Sequence, residues 1–218
     1  MVRMVRKSDA PLLDTHAVVR PIPFVGDDAA LVAALLDEHP GAMAALYERY
    51  VGYVERVLAR IVNVDLDISE LLHDVFIEAF TSIRKIRNPE RLKPWLASIA
   101  VHTARKQLKR RAVGRRICPA ATAAQTPEPS TAGADMESRE ALRSVYEILD
   151  DLSSDERIVF ALRYIEEMEL KEVADACRVS LATVKRRLRK AAKKFEIMAG
   201  RHALLKYWMD RGVRWEVV

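Results

Sequence analysis

Lys185, Arg186, Arg187, Arg189, Lys190, Lys193 and Lys194 fall within ten residues, and no acid interrupts them. Cations this dense neutralise phosphates, and Arg or Lys can also bond guanine edges. The chemistry on offer is polyanion binding, not bond making. Spacing says how the cations would be presented. Val184, Leu188, Ala191 and Phe195 recur at i, i+4, i+7 and i+11, an apolar helix stripe, while Ala182, Arg186, Arg189 and Lys193 point the opposite way. Upstream, Leu170, Val173, Ala174 and Cys177 make the apolar face of a shorter helix. Arg178-Val179-Ser180 joins the two, and the Ser180 hydroxyl suits an N-cap. This is the pattern of a helix-turn-helix whose second helix enters the DNA major groove. A solvated basic helix on another bundle is the plainer reading. The preceding amphipathic helix, the short turn and the cap favour DNA. Arg178 stands where such turns often carry Gly in a left-handed backbone, at a cost of about 1 kcal/mol.

A second cationic cluster holds seven basic residues between Arg105 and Arg116. It continues a helix that opens at Pro94, a residue suited to a first turn, and buries Trp95, Leu96, Ile99, Ala100 and Thr103. A helix that starts in a core and ends as a cationic rod resembles a nucleic-acid contact. Trp95 fits base stacking, but its spacing with Leu96 and Ile99 fits a core side chain better. Between Asp67 and Ile83 the charge inverts. Asp67 caps a helix with Glu70 three residues on, close to a capping box. Leu72, Val75, Phe76, Ala79 and Ile83 form its buried face. Asp67, Glu70, Asp74 and Glu78 lie opposite, with Ile77 among them. An acidic face around an exposed apolar residue suits a basic protein partner; a solvated acidic face is the equal alternative.

The elements that must position these residues are all helices. The chain has 218 residues, seven Gly and a net charge of +5. Its apolar residues recur at helical spacing, and no convincing strand pattern occurs. Leu31, Val32, Leu35 and Leu36 mark a short helix stopping near Pro40, and Leu46 to Ile61 a long one ending near Asn63. Residues 82–93 read as a charged loop with Asn88-Pro89. Ala112 to about Ser138 has linker composition, with Pro119, Pro127 and Pro129. Helices resume around Arg139, and Ser153 with Glu156 forms a capping box for the helix carrying Ile158, Val159, Leu162 and Ile165. The expected fold is all-α: two small helical domains joined by a flexible linker. The expected divisions are 1–26 a mobile arm, 27–112 the first module, 113–138 the linker, 139–197 the second module and 198–218 a tail. The tail, with Leu204, Leu205, Tyr207, Trp208 and Trp215, is too apolar to be idle. It either completes the second module's core or bridges to the first.

Several classes drop out. Cys118 and Cys177 have no metal-ligand spacing, so no metal is expected. Cys177 lies on an apolar stripe and reads as a buried thiol. No apolar run approaches membrane-spanning length, and the N-terminus lacks the apolar centre of a signal peptide, so a cytoplasmic protein without membrane insertion is expected. No carboxylate cluster with His proposes a catalytic centre, so neither an enzyme nor a cofactor is expected.

Three stretches in order resemble the sigma-70 family of bacterial RNA polymerase sigma factors, in its small extracytoplasmic-function (ECF) branch. Asp67-Ile-Ser-Glu-Leu-Leu-His-Asp-Val-Phe76 is similar to the family's D-A-E-D-L-x-Q-E-V-F. Trp95-Leu-Ala-Ser-Ile-Ala-Val-His102 with TARKQLKRR is similar to W-L-x-x-I-A-x-N and its basic run. Leu152 to Tyr164, Glu172-Val-Ala174 and Thr183 to Ala191 are similar to the three region 4 motifs. The resemblance spans about Leu31 to Phe195 and implies regions 2 and 4. It implies docking on the coiled coil of the polymerase's largest subunit through Asp67, Glu70, Leu71, Asp74, Ile77 and Glu78. It implies −10 DNA contacts from Arg87, Asn88, Trp95, His102, Arg105, Lys106, Lys109 and Arg110, where a base is unstacked and captured. It implies −35 contacts from Ser180, Ala182, Thr183, Lys185, Arg186, Arg189, Lys190 and Lys193, with region 4 meeting the polymerase flap. An anti-sigma partner is compatible with it. Departures are His102 in place of Asn, Lys106 where an acid is frequent, and Ser69 and His73 in the docking helix. A stand-alone helix-turn-helix regulator is the main rival; it leaves the acidic helix and the second basic helix unexplained. A nuclease has no catalytic cluster to support it.

Overall fold

The computed structural model describes residues 25–63, 68–117, 136–202 and 205–206. Residues 1–24 of the arm, Asp67, most of the linker, and Leu204, Tyr207, Trp208 and Trp215 of the tail lie outside them. Among the described residues every element is helical. The α-helices run α1 Asp28–Leu36, α2 Ala42–Val62, α3 Ser69–Ser82, α4 Leu92–Ile117, α5 Met136–Asp150, α6 Ser154–Phe160, α7 Leu170–Cys177 and α8 Leu181–Ala199.

Local chemistry fixes the ends. The Asp27 side chain accepts from the Ala30 amide at 2.8 Å and starts α1. Gly41, with φ 88°, takes the left-handed turn that redirects the chain into α2. The segment after α3 is not a plain loop: it holds 3-10 turns at Ile83–Lys85 and Pro89–Arg91. Asn88 sets the second by accepting from the Glu90 amide at 3.0 Å. Helix α4 then begins at Leu92, two residues before Pro94, because Pro94 still lies in the first turn, where no amide partner is needed. It continues to Ile117, six residues into the stretch with linker composition. Ser153 and Glu156 form the reciprocal capping box of α6. One wide π turn, Ala161–Ile165, follows α6.

The apolar core crosses between the two halves of the chain. Leu46, Val54, Leu58, Val75, Leu96 and Ala100 belong to one cluster with Ile158, Leu162, Val173, Val184 and Leu188. A smaller cluster joins Tyr146 and Leu149 of α5 to Phe160 and Phe195, whose rings stack at 4.8 Å. Helix α4 is the shared element, packing on α2 and α3 on one side and on α6 and α7 on the other. Every residue from Leu96 to Val101 is therefore buried. An amphipathic surface helix buries one stripe; a helix covered all round has a second partner.

Candidate nucleic-acid interface

Helix α8 presents its cations as the spacing requires. Ser180 caps it, accepting from the Thr183 amide at 3.2 Å. Val184, Leu188, Ala191 and Phe195 are buried at 0–1 % exposure. Ala182, Lys185, Arg186, Arg189, Lys190 and Lys193 are exposed, Thr183 half-buried, and Ser180 exposed at the helix start. Arg178 adopts φ 54°, ψ 46°, the left-handed conformation expected of the turn. Its guanidinium donates to the Ser98 hydroxyl on α4 at 2.9 Å. The strained turn residue thus also contacts the other half of the chain.

Not all cations of α8 are equally available. Lys190 and Lys194 reach the Glu156 carboxylate at 3.2 and 2.7 Å, and Arg187 meets Asp155 at 2.5 Å. The Glu156 side chain is only 4 % exposed. Burial raises its pKa, but hydrogen bonds from Lys194, Ser153 and Lys190 outweigh that and hold it at about 2. Lys185, Arg186, Arg189 and Lys193 are left as exposed cations, the last three in one outward row.

The second cluster divides. His102, Lys106, Lys109 and Arg110 lie on one exposed side of α4. Arg105 turns the other way and pairs with Asp155 at 3.0 Å. Arg87 and Asn88 are exposed at the 3-10 turns. Trp95 is half-buried and lines a cavity of about 300 Å³ together with Lys85, Arg87, Asn88 and Arg91. It is neither an enclosed core residue nor a bare platform.

On α3, Glu70, Asp74 and Glu78 are exposed, with Ile77 48 % exposed among them. Leu71 departs from the expected docking set: it is 6 % exposed and sits in the core. The inward stripe runs Leu71, Val75, Phe76, Ala79, and Leu72 is only half-buried. Tyr47 of α2 packs its ring on Phe76 at 4.8 Å, which draws the stripe toward α2.

Sequence reasoning missed the residues that join the halves. Arg157, a cation outside both basic clusters, is 2 % exposed. Its Nε donates to the Ile61 carbonyl at 2.7 Å, and it pairs with Asp150. It thereby caps the C-terminus of α2 from outside, where a positive charge is favoured. Arg56 reaches Glu166 at 2.7 Å and Arg91 pairs with Asp175. The uncharged run Leu96 to Val101, apolar except for Ser98, was the available signal that α4 has partners on both sides. Cys177, 5 % exposed, has its thiol pushed up to about 11 by burial.

Two family profiles match this layout. "Sigma-70 region 2" covers residues 46–113, from α2 through most of α4, and "Sigma-70, region 4" covers 142–195, from α5 to α8. Together they take in more than half of the chain. The chain belongs to the sigma-70 family. It is similar to the ECF RNA polymerase sigma-E factor of Haemophilus influenzae, 28 % identical over 179 residues, covering 78 % of this chain and 93 % of the relative. It is also similar to the RNA polymerase sigma factor SigV of Bacillus subtilis, 29 % identical over 135 residues, covering 60 % of this chain and 75 % of the relative. Among solved structures, CnrH in complex with the cytosolic domain of CnrY shares the fold, with a TM-score of 0.56 and 21 % identity over 81 % of this chain and 99 % of that one. This sigma factor, of the ECF branch, directs transcription initiation. A stand-alone helix-turn-helix regulator is not favoured, since region 2 is present as well.

Proposed function

We propose that the sigma factor works through three surfaces, carried by a region 2 module (27–112) and a region 4 module (139–197). The exposed face of α3, Glu70, Asp74, Ile77 and Glu78, docks on the coiled coil of the polymerase's largest subunit, with region 4 on the flap. Asp67, outside the described residues, is assigned to the same contact by the family resemblance. The 3-10 turns and α4 take the melted −10 strand: Arg87, Asn88 and Trp95 hold an unstacked base, and His102, Lys106, Lys109 and Arg110 track phosphates. Helix α8 reads the −35 duplex, with Arg186, Arg189 and Lys193 outermost. The linker spans the gap between the two DNA elements, and the arm and tail flank the modules. His102 and Lys106 depart from the family pattern beside the melted strand, so an unusual −10 preference is expected. No catalytic group or cofactor enters this reading, and its place of action is the cytoplasm. Among the described residues no helix is long and apolar enough to cross a membrane. CnrH was solved bound to a protein partner, which supports a regulatory protein partner here too.

The observation that carries this reading is the charge separation: α3 exposes Glu70, Asp74 and Glu78 around Ile77 and has no Lys or Arg, whereas α4 exposes Lys106, Lys109 and Arg110 and α8 exposes Arg186, Arg189 and Lys193. Co-purification with core polymerase in the absence of DNA tests it. Asp74→Arg is expected to lose core polymerase while keeping its helical circular dichroism, since Asp74 is exposed. Normal retention of the variant would refute the docking assignment.

A further inference from the structure

Helix α1 lies wholly outside the region 2 profile, which begins at residue 46. None of the three surfaces proposed above includes it. Yet α1 packs on both 3-10 turns as well as on α2. Its Leu31 and Val32 are fully buried in the cluster that holds Ile83, which opens the first turn, and Leu92, which follows the second. The turns are short. The Ile86 amide donates to the Ile83 carbonyl and the Arg91 amide to the Asn88 carbonyl, both at 3.0 Å. One such bond does not fix where a turn stands. Its place comes from what it packs on, and Arg87 and Asn88 lie between the two turns.

Helix α1 has nine residues, and an isolated helix needs about 12–15 to persist in water. A clasp at its first turn holds it. Two consecutive acids divide the work. Asp27 caps α1 itself, and Asp28 reaches across to α2. There the Tyr50 hydroxyl donates to Asp28 Oδ2. The Arg49 guanidinium donates to Asp28 Oδ1 at 3.1 Å and to the Gly26 carbonyl at 2.7 Å. Tyr50 is 7 % exposed. Beyond the other end of α1, Glu38 pairs with Arg84 at 3.4 Å, but those side chains are 81 % and 72 % exposed. A pair so exposed contributes little, whereas a part-buried hydrogen bond to a charged group contributes more than a neutral one. The Asp28 clasp is therefore the stronger anchor.

We propose that Asp28 and Tyr50 are positioning residues for base capture: the clasp fixes α1, and α1 fixes the turns that carry Arg87 and Asn88 to the −10 strand. Neither residue needs to touch DNA. This rests on the −10 assignment made above. With the clasp broken, the turns spread over several arrangements. Only the competent fraction binds, so the apparent affinity falls by that fraction. Docking through α3 and −35 reading through α8 are left intact.

Tyr50→Phe and Asp28→Ala in the holoenzyme test the proposal. Tyr50→Phe removes a hydroxyl and keeps the buried ring, so folding should persist. Both variants are assayed at a temperature where circular dichroism finds them fully folded. The probe is a single strand carrying the non-template −10 sequence of a promoter that the holoenzyme transcribes. A fluorescent adenine analogue in the element reports the base leaving the stack. Each variant is expected to weaken capture at least about threefold, with core-polymerase retention and −35 duplex affinity at wild-type values. The double variant should be no weaker than Asp28→Ala, because both changes break one clasp. Wild-type capture by either single variant overturns the proposal. An equal loss of −35 affinity also overturns it, since that marks general destabilisation, and so do multiplying losses in the double variant. Trp95→Ala separates this proposal from the reading beneath it. If Trp95→Ala weakens capture and the clasp variants do not, the positioning role alone fails. Wild-type capture by Trp95→Ala defeats the −10 assignment and the positioning role with it.

Discussion

Arg157 and Glu156 are adjacent, charged and buried, and each is tolerable for a different reason. Arg157 spends its guanidinium on the Ile61 carbonyl and on Asp150. A buried hydrogen bond to a charged group contributes more than a neutral one, and leaving its partner unmet is costly. Arg157→Ala is therefore expected to destabilise the protein by about 2–3 kcal/mol, read as a lower urea midpoint; a change within error would mean that water replaces the guanidinium without loss. Glu156 has its partners in Lys190, Lys194 and Ser153, which hold its carboxyl at about 2. Because the folded pKa is depressed, the carboxylate contributes stability above the usual carboxylate pKa, and this is lost as pH falls toward 2. The contribution is of order 3 kcal/mol. Urea midpoints followed from neutral pH down to about pH 3 should fall more steeply for the wild type than for Glu156→Gln. Parallel curves would remove Glu156 as the acid-sensitive group.

Helix α8 was the most legible element, because one stripe alone makes its buried face and the cations take the rest. Arg186 and Arg189 lie on the outward side, away from Val184 and Leu188. Arg186→Ala and Arg189→Ala are each expected to weaken binding to a −35 duplex, and at least one to relax base preference. A bidentate Arg–guanine contact discriminates by roughly 1–3 kcal/mol. Binding to a panel of single-base variants checks this; equal losses on every sequence would mean that both residues touch phosphate only. Helices α3 and α4 were less legible. On α3 the stripe contains Leu71 rather than Leu72, because Tyr47 on Phe76 pulls the contact toward α2. Periodicity cannot choose between adjacent leucines. On α4 one stripe was expected and burial on every side was found from Leu96 to Val101.

That difference belongs to the way the modules meet. Reading each stretch alone finds its helix, its cap and its motif, since these depend on residues within a turn or two. The Ser153–Glu156 box, the Ser180 cap and the left-handed Arg178 were all readable in this way. What α4 and α7 share, and where Arg91, Arg105 and Arg157 point, depends on residues 50 to 96 positions apart. No local spacing encodes such pairings. The proposed −10 and −35 surfaces, with the acidic face on α3, predict a protein that acts only with core polymerase. Transcription by core polymerase on fragmented DNA from the protein's own genome, with 5′ ends mapped with and without the sigma factor, tests this most directly. The expected result is new start sites sharing one sequence block near −10 and another near −35, absent when Asp74→Arg replaces the wild type. The same start sites with and without the wild-type protein would contradict it.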